Sequence, residues 1–116
     1  IMDAKEKGMG IALASSSTRI LVDDSLRLLG IAEQFDVTVS GDEIPKKKPA
    51  PDVYLKVLEL TGVNAEEAVA VEDSRAGIEA AKAAGIFCYG YDNPTLGVQD
   101  ISKADQQIKS IREIKV

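Results

Sequence analysis

The sequence predicts an α/β fold, a parallel sheet joined by right-handed crossovers with helices on both faces. Three observations predict it. Short apolar runs stand at residues 11–14, 69–71 and 86–89, as in strands buried on both faces. Helical patterns lie between them and stop at Gly30, Gly62 and Gly85, the residue type that most often closes a helix. Strand and helix alternate along a chain of 116 residues, a length for one small domain, and alternation favours parallel pairing.

In order, residues 1–8 read as the last turns of a helix closed by Gly8. After strand 11–14 come Ser15, Ser16, Ser17 and Thr18, side chains that cap helices. Val22, Leu26 and Leu29 recur at helical spacing and mark the buried face of helix 19–29. Residues 35–39 are strand-like. Residues 41–51 form a polar loop carrying Lys46, Lys47 and Lys48 among its prolines. Pro51 suits a first helical position, with Asp52 near the positive end of the helix dipole. Val53, Tyr54, Val57, Leu58 and Leu60 give this helix its buried face, and the Tyr54 hydroxyl is expected at the surface. Strand 69–72 leads into Ser74, a cap, and an alanine-rich helix ending at Gly85. Its small residues Ala76, Gly77, Ala80, Ala81 and Ala84 let it lie close to the sheet. A strand at 86–89, a turn at Asp92, Asn93 and Pro94, a loop over 95–103, a weak strand at 104–108 and a helical turn at 110–114 complete the chain.

Composition removes several function classes. Hydrophobic residues make up 45% and charged residues 28%, an ordinary globular balance. The net charge of −5 argues against a nucleic-acid or anionic-membrane partner. Histidine is absent, which removes His-based triads and His-ligated metals. One cysteine, Cys88, cannot form an internal disulfide, fits a reducing, cytoplasmic setting, and reads as a small buried hydrophobe. No apolar run approaches membrane-spanning length and no signal-peptide pattern is read. Gly8, Met9 and Gly10 precede a strand and lack a third glycine, so they are no dinucleotide loop.

Ligands of open parallel sheets bind outside the strands' carboxyl ends. Three crossovers deliver reactive side chains there: Ser15 and Ser16 after the first strand, Lys46 to Lys48 after the second, Glu72 and Asp73 after the third. Hydroxyl, ammonium and carboxylates on one rim suit a phosphate ester held beside a divalent metal. Hydroxyl and backbone N–H groups bond phosphate oxygens, an ammonium neutralises them, and one or two carboxylates suffice for Mg²⁺. Each feature also has a plainer reading. The hydroxyls cap a helix, two or more of the lysines belong to a solvated loop, and an acidic pair before a helix suits its dipole.

The joint pattern adds to this. The chain resembles the second half of a haloacid dehalogenase-superfamily phosphatase, nearest to the β-phosphoglucomutase-like branch. Residues 12–17, Ala-Leu-Ala-Ser-Ser-Ser, resemble the second motif of that family. The resemblance gives phosphate binding to the Ser15 hydroxyl, with the Ser16 backbone N–H assisting. Lys48-Pro49-Ala50-Pro51-Asp52 resembles the third motif, whose lysine contacts the phosphate and the nucleophile. Residues 71–77, Val-Glu-Asp-Ser-Arg-Ala-Gly, resemble the fourth, whose acids hold Mg²⁺, here Glu72 and Asp73.

The resemblance implies a Rossmann-like core occupying residues 1–116, without the family's first motif, Asp-x-Asp, and without its α-helical cap. Asp3, Asp23 and Asp24 lie in helical patterns and do not replace that motif. The family's first strand lies in the middle of its sheet, between the strands at 11–14 and 69–72 here, so the sheet is expected to be incomplete at its centre. The implied activity is Mg²⁺-dependent phosphotransfer on a small phosphorylated metabolite through an aspartyl-phosphate, the nucleophile lying upstream of Ile1 in a longer protein. The implied partners are that upstream segment, or a second chain exchanging a strand. Two alternatives stand beside it. One is a receiver-like phosphate-responsive module, in which acids come first and hydroxyl and lysine later, the reverse of the order here. The other is a non-catalytic fragment.

Overall fold

The computed structural model of the chain describes residues 10–15, 17–92 and 100–110. The predicted helix at 1–8, Asp3, Ser16, the turn residues Asn93 and Pro94 and the helical turn beyond Ser110 lie outside them.

The described residues form five short strands and three helices, alternating as far as β4: β1 (Ala12–Ala14), α1 (Arg19–Leu29), β2 (Val37–Val39), α2 (Asp52–Thr61), β3 (Val69–Glu72), α3 (Arg75–Ala83), β4 (Phe87–Tyr91) and β5 (Gln106–Ile108). Single 3₁₀ turns at Ala32–Gln34, Gly41–Glu43 and Ala65–Glu67 lie in the connections. Every strand pairing is parallel, with Ala12 opposite Val37, Val69 opposite Phe87 and Tyr89 opposite Gln106. The helices begin and end where the caps require. Thr18 Oγ1 accepts from the Leu21 N–H, and Ser74 Oγ accepts from the Gly77 N–H at 3.1 Å. Gly30 and Gly62 close α1 and α2 at φ of 69° and 71°, the left-handed region where a Cβ is penalised.

The strands form two separate ladders among the described residues, β2–β1 and β3–β4–β5. Among the described residues no backbone bonding joins β1 to β3, and each has an edge without a ladder partner there. α2 and α3 pack side by side over one face. Val53, Ile78, Ala80, Ala81 and Cys88 are fully enclosed there with Val39 and Ala70 from the strands. The alanines of α3 are what allow this approach. The opposite face of β3 and β4 is uncovered by described residues: Val69, Val71 and Phe87 are 47%, 41% and 41% exposed. Such side chains belong to a strand covered on both faces.

Four details differ from the sequence reading. Strand 35–39 shortens to Val37–Val39, because Asp36 pairs with the backbone of Ile11 through both its N–H and its carboxylate. The last strand starts at Gln106 because the Asp105 carboxylate takes the Cys88 N–H in place of a ladder carbonyl. Leu29 and Leu60, expected inside, are exposed in the final turns of their helices. Tyr54, expected to send its hydroxyl outward, instead buries it.

Candidate functional site

The site is built where the carboxyl ends of β1 and β3 face each other across the interval between the two ladders. Ser15 follows β1 directly. Its N–H continues the ladder to the Val39 carbonyl at 2.9 Å, and its Oγ accepts from the Ser17 N–H at 3.0 Å. That bond occupies a lone pair and leaves the hydroxyl proton available for an acceptor. Ser16, the other phosphate-binding candidate, lies outside the described residues.

Lys48 comes from the loop between β2 and α2, and its bond to Pro49 is cis. Its ammonium reaches both ladders. Nζ donates to the Ala14 carbonyl at 3.1 Å and to Glu72 Oε2 at 2.7 Å. Lys46 and Lys47 are exposed, as a solvated loop would have them. Of the three lysines, Lys48 alone is drawn to the rim, and an ammonium with three N–H donors keeps one in reserve after these two bonds.

Glu72 ends β3, and its residue is 9% exposed. Its Oε2 accepts from Lys48 and also from the Tyr54 hydroxyl, which comes from the first turn of α2. Its carboxylate lies so close to the backbone of Gly77 that a Cβ there would overlap it. The ion pair is largely withdrawn from water, with Lys48 and Glu72 side chains 13% and 9% exposed. The Lys48 ammonium also lies 5.5 Å from the centre of the Tyr54 ring. Burial, and then the neighbouring Glu72 charge, hold the Tyr54 phenol well above its ordinary range, so it is a permanent donor. Asp73, half-buried, follows at the turn into α3.

Hydroxyl, ammonium and the two carboxylates therefore lie at one end of the fold, drawn from three crossovers. Among the described residues no three or more Asp, Glu, His or Cys side chains cluster as a metal cage. The acids that the sequence places at this rim are Glu72 and Asp73, and Glu72 already spends one oxygen on Lys48 and Tyr54. That donor set is compatible with Mg²⁺, which keeps waters and needs one or two carboxylates. Asp23 and Asp24 pair with Arg19 and Arg27 on α1. Tyr54 was not legible as part of the site. The only sequence signal was its place in the first turn of a crossover helix, the turn that meets the sheet's carboxyl edge.

The sequence profile of the haloacid dehalogenase-like hydrolases matches residues 1–91. The phosphorylated carbohydrates phosphatase of Thermotoga maritima is 45% identical over 82 residues, covering 71% of this chain and 38% of that protein. The crystal structure of CbbY from Rhodobacter sphaeroides in complex with phosphate superposes with a TM-score of 0.86 at 35% identity, covering 94% of this chain and 50% of that one. The β-phosphoglucomutase of Clostridium difficile gives a TM-score of 0.84 at 28% identity, over 98% of this chain and 48% of that one. The chain thus spans no more than half the length of these relatives. With an all-parallel α/β core, a profile match over most of its length and phosphatases and a phosphomutase among its relatives, the chain belongs to the haloacid dehalogenase-like hydrolases, a family of enzymes.

Proposed function

We propose that this chain supplies the phosphate-binding and metal-holding rim of a Mg²⁺-dependent phosphotransfer enzyme acting on a small phosphorylated metabolite. The observation that carries the reading is Lys48, whose ammonium is held between the Ala14 carbonyl and Glu72 with one donor in reserve. An aspartate upstream of Ile1 attacks phosphorus. The bond from phosphorus to the leaving alcohol oxygen breaks, and an aspartyl-phosphate forms. Lys48 and Ser15 donate to the transferring oxygens, where charge develops. Asp73 and Glu72 would hold Mg²⁺, which neutralises phosphate charge when bound. The open edges of β1 and β3 and the uncovered Val69, Val71 and Phe87 support a further segment that inserts between the ladders and brings the nucleophile. That segment lies upstream in the same protein, or a second copy exchanges it.

Hydrolysis of p-nitrophenyl phosphate with Mg²⁺ tests this. Turnover is expected from the protein carrying this chain with its upstream segment and not from the 116-residue chain by itself. Lys48→Ala should lower turnover by about 10²–10³-fold, the cost of removing one donor to a developing charge. Activity from the isolated chain would refute the upstream nucleophile. An inactive longer protein whose Asp73→Ala variant binds Mg²⁺ as well as the unmodified protein would refute the enzyme reading.

A further inference from the structure

We infer that Tyr54 is a positioning residue for Lys48, acting through the carboxylate oxygen of Glu72 that the two share. Glu72 Oε2 has two lone-pair directions, and Lys48 Nζ and the Tyr54 hydroxyl both donate to that oxygen. The rest of the carboxylate is confined by the backbone of Gly77. The anion is thereby clamped from three sides, and it in turn sets the direction of the ammonium. With one N–H on Ala14 and one on Glu72, the direction of the third is determined. Phenylalanine at 54 would keep the ring beside the ammonium and remove only the hydroxyl. Glu72 is nine-tenths buried, so bulk water does not simply replace the lost donor. The carboxylate must then shift toward another donor, and Lys48 turns with it.

This role rests on the phosphotransfer reading for its consequence, while the placement of Lys48 is readable without turnover. In the protein carrying this chain with its upstream segment, labelled with ¹⁵N-lysine, a slowly exchanging Lys48 ammonium signal is expected, assigned by its loss in Lys48→Met. Tyr54→Phe should broaden or move that signal. An unchanged signal in Tyr54→Phe would overturn the inference even if its melting temperature fell, since a merely structural role would leave the ammonium in place. In kinetics with p-nitrophenyl phosphate, Tyr54→Phe should lower kcat roughly tenfold, about the worth of a hydrogen bond to a charged group. It should have no further effect in a Lys48→Met background, and equal losses in both backgrounds would also overturn it. Absence of turnover in the unmodified protein would count against the phosphotransfer reading, and the ammonium signal would still decide Tyr54. Should Tyr54→Phe not fold, 3-fluorotyrosine labelling strengthens the hydroxyl as a donor. A displaced Lys48 signal is then expected, and an unmoved one overturns the inference.

Discussion

Lys48 and Glu72 form an ion pair of 2.7 Å that joins two strand ladders otherwise without a shared backbone bond among the described residues. Glu72 ends β3 in one ladder. Lys48 also holds the Ala14 carbonyl at the end of β1 in the other. The pair is therefore both a tether across the centre of the fold and the organiser of its carboxyl rim.

Breaking this pair from one side should be costly. Lys48→Met leaves a buried carboxylate without its cation and is expected to lower unfolding free energy by about 3–5 kcal/mol. The double variant Lys48→Met, Glu72→Leu should recover much of that loss, because no charge is left buried. Urea denaturation of the two variants measures both, and equal losses would show that packing rather than the uncompensated charge sets the cost.

Gly77 is required for space, since its backbone is not in the left-handed region. A methyl there overlaps the Glu72 carboxylate. Gly77→Ala should cost roughly 1–3 kcal/mol by overpacking, although alanine is ordinarily the better helix former. Gly77→Ala combined with Glu72→Ala relieves the overlap and should be less destabilised than the two single losses added together. Thermal melts of the set provide the check.

Cys88 should be silent toward alkylation while the protein is folded. It is fully buried, and desolvation, with the Glu72 and Asp105 charges adding to it, pushes its thiol up to about 11. Only the thiolate reacts. Iodoacetamide at about pH 8, half a unit below an ordinary thiol's pKa, should label it at the rate of unfolding. Rapid labelling under native conditions would contradict the buried placement.

Asp105 should make stability fall in acid. The Lys82 ammonium, then the Cys88 N–H, hold its carboxyl below the usual carboxylate value. A folded-state value below the unfolded one means the contribution is complete above about pH 4 and is lost as pH falls through the folded value. The stability gap between the native protein and Asp105→Asn should therefore be constant from neutral pH down to about 5 and close progressively below about 4. Denaturation curves over that range test it, and a gap that widens in acid would reverse the sign.

The sequence alone determined the order of elements. Apolar runs, caps at Thr18 and Ser74, and glycines at 30 and 62 are local signals, each legible within a few residues. It also named Ser15, Ser16, Lys46 to Lys48, Glu72 and Asp73 as candidates, because the crossovers that follow parallel strands share one edge, and the resemblance to the third motif singled out Lys48 among the lysines. Tertiary structure decided what those residues do to one another. That the Lys48 ammonium bridges Ala14 and Glu72 depends on where β1 and β3 end relative to its loop. That the Tyr54 hydroxyl turns inward depends on the first turn of α2 lying against the end of β3. The need for glycine at 77 depends on how closely α3 approaches Glu72. These are contacts between segments many residues apart, and neither periodicity nor spacing encodes the distance between two side chains that meet only once the sheet and helices have packed.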